Sequence, residues 1–469
     1  MGAKLRSQSG KVCNIILLMV LLSVVMIRVW GPATNIQPDS LRYVSAGLNL
    51  AEYGVLSGRG FRADHAPSPD FIQGGIYTAA EIALASMIST TTREGLMCIA
   101  ESPSGSGCDL RLPALKIIYT LEVFLFHIAV WFVGFLFFQN KLGAWLAVGF
   151  SMLFRETYIY NSSILTEPSY LMISGGFVVS WMFALKKAES VSRWFLSGVM
   201  LGLLVLVKPA WSALAVCLGF CALVIFLIKR DKRLWILRSF GGGACGYCLF
   251  IVPILLWNGL VLQVWSLSSP DYLTASLSHR LAFNLMSWKE WAIGWFYYLP
   301  VSGAGRLFGV NALLPLGWDT GSYYEYGRDV LNAIAVQGRT ASEANRYLLE
   351  NFVLKMPIKE IAVTALLLWR GIFVGLVIGM LAVPMTAIYL MCARGKDLTM
   401  FLAVLLPCLF MAVVHAMVSV SIYRYNLPLI IPYVLVMAYF TLRIIDRIML
   451  LNFPAFSVLR TNFSHRQGK

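Results

Sequence analysis

Ten runs of this sequence are apolar over, or nearly over, the length that carries a helix across a bilayer: 13–30, 113–138, 142–155, 160–185, 194–207, 210–228, 236–258, 371–393, 399–418 and 427–445. About 20 helical residues cross a hydrocarbon core of about 30 Å, so such a chain is committed to the membrane. Composition agrees: 58% of the 469 residues are hydrophobic and 13% charged, where soluble domains are about half and a quarter. The first run is followed by no small-residue cleavage site and reads as a retained span, not a signal peptide. The fold class expected is an all-α polytopic membrane protein with about 10 (10–13) transmembrane helices. Two large extracytoplasmic loops carry interfacial helices.

Charge orients the chain. With the N-terminus inside and these ten spans, 19 basic residues fall on the inner side. Only four acids, Glu189, Asp231, Asp397 and Asp446, join them. The formal net charge of +15 then sits on one face, as the positive-inside rule expects. Making the apolar run 72–89 a further span would push "KKAES" and "KRDKR" outside, so that run is read as an interfacial helix. The same topology accounts for the basic balance, and nucleic acid is not a partner.

Six regions follow: 1–30, a cytoplasmic N-terminus and first span; 31–112, a first extracytoplasmic loop with juxtamembrane helices; 113–258, a helix bundle; 259–370, a large extracytoplasmic loop with amphipathic helices; 371–450, the C-terminal spans; and 451–469, a cytoplasmic tail. In the first loop Leu41, Val44, Leu48 and Ala51 share a helical face closed by Gly54, giving a helix over 41–53 with Asp39 at its foot. In the second, Trp288, Trp291 and Trp295 share a face, which predicts a helix lying at the headgroup level. Cys245 and Cys248 follow "GGGA" in an apolar run and read as close helix packing. Cys98 and Cys108 lie in a polar outer loop, and whether they are bridged stays open.

Several chemistries are missing. There is no phosphate-binding Gly-x-x-x-x-Gly-Lys-Ser/Thr loop, no His-Glu-x-x-His pair among five histidines, and no Gly-x-Ser-x-Gly elbow. What remains is a set of ionisable residues at the outer ends of spans: Asp39, Arg155, Glu156, Glu167, Lys208, Arg370 and Arg424. Charges at membrane depth are costly and usually functional. Cations there would neutralise a phosphate, and a carboxylate would accept a proton.

Four stretches, "PDSLRYVSAGLNLAEYGVLSG" (38–58), "LTEPSYLMISGG" (165–176), "GVMLGLLVLVKPAW" (198–211) and "YRYNLPLIIPYVLVMAYF" (423–440), resemble in order the GT-C superfamily of membrane glycosyltransferases. The branch they resemble is that of bacterial protein O-mannosyltransferases and the lipid A aminoarabinose transferase. Segment 347–373 resembles the lead-in to a late span of that branch. The resemblance implies that Asp39 is the catalytic acid of the first outer loop. Ser40 replaces the second acid often found beside it, which weighs against a metal role for the pair. It further implies that Glu167 is the acid at the start of the fourth span, and that Lys208 before Pro209 and Arg424 before Tyr425 are cations near the donor phosphate. Arg155 joins them as a candidate phosphate ligand. Glu167, Glu156, Tyr43, Arg42, His65 and Tyr423 complete the candidate pocket.

Plainer readings stand beside these. Asp39 can cap a helix, Glu167 can complement a helix dipole, Lys208 and Arg424 can anchor at the interface, and Arg155 can pair with Glu156. Asp64 and His65 are residue types for a divalent cation, the one candidate cofactor, although a solvated turn accounts for them. The function implied is transfer of a sugar from a polyprenyl-phosphate donor to an extracytoplasmic glycan, lipid or protein by inverting displacement, in a bacterial cytoplasmic membrane with both termini inside. The alternatives are a transporter or flippase of lipid-linked saccharides, and an O-antigen polymerase- or ligase-like enzyme with a diphosphate-linked donor. The nine basic residues of 259–370 keep the latter open.

Overall fold

The computed structural model describes residues 2–31, 36–70, 75–102, 107–301 and 307–452. Nearly all of the expected tail 451–469 therefore lies outside the described residues. Helices α1 (Gly2–Val29), α2 (Pro38–Tyr53), α3 (Ile76–Ile88) and α4 (Thr90–Glu101) lead into α5 (Pro113–Phe138), α6 (Lys141–Ser151) and the single turn α7 (Glu156–Ile159). Then come α8 (Glu167–Lys186), α9 (Val191–Val207), α10 (Ser212–Ile228) and α11 (Arg233–Val261). Short helices α12 (Pro270–Leu281), α13 (Trp288–Tyr297), α14 (Val310–Leu313), α15 (Tyr323–Val336) and α16 (Ala341–Leu348) precede α17 (Pro357–Ile372), α18 (Val377–Cys392), α19 (Gly395–Val418) and α20 (Ile430–Asn452). No strand forms among the described residues.

Among the described residues six helical segments are long and apolar enough to cross a membrane: 113–138, 167–186, 209–228, 233–261, 395–418 and 423–448. α17 and α18 add a seventh if counted as one span, but they meet at 117°. Gly375 at φ +81 and Leu376 at φ +49 make that break, so the expected span at 371–393 starts at Val377. The other three expected spans are shorter apolar helices, Asn14–Val29 and Val191–Val207, and the 11-residue α6. At a rise of about 1.5 Å per residue α6 and α9 fall short of crossing alone.

Packing within the bundle relies on missing side chains. A methyl group on Gly198 would sit 1.9 Å from the Gly243 carbonyl oxygen, and one on Gly246 2.1 Å from that of Phe195. The "GGGACGYC" stretch therefore lets α9 and α11 touch backbone to backbone, the small-residue device of membrane helices. Cys245 and Cys248 are free. α10 presents Val216, Phe220 and Ile228 at 73%, 67% and 68% exposure. In water this would be a liability, and against lipid it is the expected surface.

At one end of the bundle, the linking segments fold as capped short helices. Ser287 with Glu290 and Thr340 with Glu343 form reciprocal capping boxes on α13 and α16, satisfying amides that a short helix would leave bare. Trp291 donates to the Ala362 carbonyl and Trp295 packs on Trp369. The tryptophan face of α13 therefore docks against α17, and only Trp288 stays largely exposed; indole N–H groups seek a carbonyl when one is offered. Cys98 and Cys108 are bridged, tying the end of α4 back towards the start of α5.

Candidate active site

α2 begins earlier than its apolar face suggests. Pro38 opens it, a position where the missing N–H costs nothing, and Gln37 is its N-cap, in a box with Ser40. Asp39 thus lies inside the first turn and is not the cap. Gly54 at φ +64 closes the helix, as its sequence position suggests. The Ser40 hydroxyl is buried and donates to the Ser163 carbonyl. The residue standing where a second acid was expected is therefore an anchor for the helix start. The Asp39 side chain, 43% exposed, points away to Arg424.

Arg424 comes from the segment between α19 and α20, and the two ends of the chain meet there. Its Nη2 donates to Asp39 Oδ2 at 3.0 Å and its Nη1 to Gln37 Oε1 at 3.1 Å. Its Nε lies 3.5 Å from Glu167 Oε1 without forming a hydrogen bond. Glu167 opens α8 ahead of Pro168 and is 1% exposed. The same Oε1 accepts from Lys208 Nζ at 3.3 Å, while Oε2 has no partner. Lys208 owes its position to Pro209, since a residue before proline is driven from the helical region. It sits at φ −139, ψ 98, just past the end of α9. Four charges from four distant segments thereby form one network, with two of each sign.

The network borders a cavity of about 770 Å³. Asp39, Arg42 and Arg424 line it, together with Tyr272, His279, Trp318, Tyr324 and Arg339 from the segment between α11 and α17, and Ser419, Val420, Ile422 and Tyr425 from the segment around Arg424. Lys208 and Glu167 stand behind Arg424, outside the lining. Burial first, and the Asp39 carboxylate next, hold the Tyr43 and Tyr272 hydroxyls above the usual tyrosine range, so both stay protonated. Burial lowers His279, which keeps that ring neutral near pH 7.

The remaining candidates are placed unevenly. Tyr43 packs behind Asp39, its ring filling the space a side chain on Gly75 would need. Gly75 itself sits at φ +73, where glycine is at ease. Tyr423 and Glu156 approach the network through Tyr160, and Glu156 is buried with Oε2 unpartnered. Arg155 is exposed and makes no ion pair with the four, nor with Glu156, among the described residues. His65 pairs with Asp64 at 2.9 Å on the surface, away from the cavity lining. No group of three or more metal-ligating side chains occurs among the described residues.

Sequence reasoning passed over Gln37, Asp271, Tyr272, His279, Trp318, Tyr324 and Arg339. One signal was available: "SPDYL" at 269–273 repeats the Pro-Asp helix opening of "QPDSL" at 37–41, and the two acids face one cavity.

Fold and site together define a polytopic membrane protein with a covered, charged cavity at one end of its bundle. No family model and no curated protein matches the chain. Among solved structures it is similar to the crystal structure of ArnT from Cupriavidus metallidurans bound to undecaprenyl phosphate, at 13% identity and a TM-score of 0.47 over 91% of this chain. The chain spans 59% of the length of that protein.

Proposed function

We propose that the chain is a GT-C-type glycosyltransferase that moves a sugar from a polyprenyl-phosphate donor to a hydroxyl of an extracytoplasmic acceptor. The observation that carries this reading is the pairing of Asp39 with Arg424 at the wall of the cavity, a carboxylate and a guanidinium side by side where a lipid headgroup can enter. The order of the four sequence motifs adds to it. The one-sided charge and the Cys98–Cys108 bridge favour a site on the oxidising side of a bacterial cytoplasmic membrane.

In this mechanism the donor phosphate lies against Arg424, whose planar fork suits it. The phosphate competes with Asp39 for the guanidinium and so frees the carboxylate as donor binds. Asp39 takes the proton of the acceptor hydroxyl, the oxygen bonds to the anomeric carbon from the opposite face, and the carbon–phosphate-oxygen bond breaks with inversion. Lys208 and Glu167 hold Arg424 in place from behind. Asp39 is the base because its carboxylate is the one that both reaches the cavity and touches Arg424.

Purified protein in nanodiscs, supplied with a labelled polyprenyl-phosphate sugar and envelope acceptors, tests this. A general base contributes about 10²–10⁴-fold, so Asp39→Asn should lose transfer by that factor at an unchanged melting temperature. Undiminished transfer in that variant removes the assignment. Movement of the lipid across the bilayer with no transfer by the wild type makes the protein a flippase instead.

A further inference from the structure

The charges around Asp39 cancel: Asp39 and Glu167 against Lys208 and Arg424. An anion arriving there must displace a carboxylate. One arginine nearby is under no such constraint. Arg370, in the last turn of α17, has its guanidinium 4.7 Å from the Tyr298 ring and 4.3 Å from that of Trp318. Its Nη1 is buried without a hydrogen-bond partner, and no carboxylate lies within 4 Å of it among the described residues.

The position relates to the cavity on two sides. Trp318, one of the two rings, is part of the cavity lining. Gly371, the next residue along, packs on Ser421 and Asn426, in the segment that supplies Ser419, Val420, Ile422, Arg424 and Tyr425 to the lining. Gly371 has no room for a side chain, since a methyl group there would meet Ser421 Oγ at 2.2 Å, so the register of Arg370 against the cavity is held firmly. The Tyr298 and Trp318 rings hold the guanidinium by cation–π attraction, and Tyr298 also engages it by a hydrogen bond, which leaves Nη1 as the arm without a partner. Arg370 as a whole is half-buried, but a buried N–H left idle on a cation is expensive unless something pairs with it.

We propose that Arg370 holds a second phosphate-type oxyanion of a substrate beside the cavity. This rests on the transferase reading for which substrate that is. It is either the second phosphate of a diphosphate-linked donor or an anionic group on the acceptor.

Anion binding is measured first, without any transfer reaction, so that its outcome is separate from the fate of the transferase reading. Inorganic phosphate and pyrophosphate are titrated by calorimetry into full-length protein in nanodiscs. Wild type and Asp39→Asn should bind, while Arg370→Gln should bind roughly 10–100-fold more weakly, the range for a hydrogen bond to a charged group. Arg370→Lys keeps the charge, loses the fork and should fall between them, which covers the case in which the glutamine variant does not fold. Equal anion affinity in wild type and either Arg370 variant overturns the proposal. The transfer assay then separates the sources: Arg370→Gln raises the KM of the donor if the oxyanion is a donor diphosphate, and that of the acceptor if it is carried there. A fall in kcat with both KM values unchanged also overturns it.

Discussion

Two arginines on linking segments of this protein meet glutamates under cover, and they are treated in opposite ways. Arg280 is wholly buried in α12 and every arm of its fork is used. Nε donates to the Ala416 carbonyl at 2.6 Å, Nη1 to Asn284 at 3.0 Å, and Nη2 to Glu360 at 2.8 Å and Thr364 at 2.7 Å. Asn284 completes the ring by donating to the other Glu360 oxygen. Burial draws the Arg280 group down to about 10, still protonated at neutral pH. Arg424 is 15% exposed, spends one bond on Gln37 and one on Asp39, and leaves Nε idle beside a glutamate whose second oxygen is idle too. A satisfied cluster pins α12 to α17 and α19. An under-satisfied one next to a cavity retains capacity for a ligand. Burial of charge alone does not mark a site; unmet hydrogen-bonding potential facing open space does.

The sharpest way to break this contrast is to cut both arginines and compare what is lost. Removing one partner of a buried pair costs about 3–5 kcal/mol, because the charge left behind is uncompensated. Arg280→Ala should therefore lower the melting temperature strongly, while the protein that remains folded transfers sugar at the wild-type rate per molecule. A variant that keeps its stability and loses turnover would move Arg280 from scaffold to site.

Arg424 should behave the other way round. Arg424→Lys preserves the charge that Glu167 and Asp39 require but not the fork that serves both Asp39 and Gln37. Transfer is expected to drop roughly 10–100-fold, read as kcat/KM, with the melting temperature close to wild type. If instead stability falls and transfer does not, the Asp39–Arg424 pair is a structural tie like the one at Arg280.

How far the sequence foretold this contrast depends on how local each feature is. The all-helical membrane fold follows from apolar length alone, and the C-cap at Gly54 from the end of a periodic face. Asp39, Glu167, Lys208 and Arg424 were legible because each sits beside a proline or aromatic residue in an ordered motif. Their convergence was not, since it joins positions up to 385 residues apart. The cavity roof was hidden for the same reason. Tyr272 and Tyr324 lie on short helices and Trp318 on the bend before α15, and their local patterns say nothing about what they cover. The start of α2 was misplaced because apolar periodicity finds a buried face and not a cap, and Gln37 caps with no periodic signal. The docking of Trp291 and Trp295 on α17 was hidden as well, because the sequence alone does not reveal α17 as a neighbouring surface.

The smallest effect is expected at Asp64 and His65, and it bounds the site from outside. Their side chains are 80% and 54% exposed and face each other at 2.9 Å. Pairing with His65 holds the Asp64 carboxyl below its usual range, but a surface pair in water is worth little and is screened by salt. The pair lies outside the cavity lining, and two ligands on an open turn make a weak hold for a divalent ion. His65→Ala should therefore leave both transfer and melting temperature within error of wild type, with and without added magnesium or with chelator present. Loss of transfer that magnesium restores to the wild type but not to this variant would bring the first loop into the catalytic centre and extend the under-satisfied region well beyond Arg424.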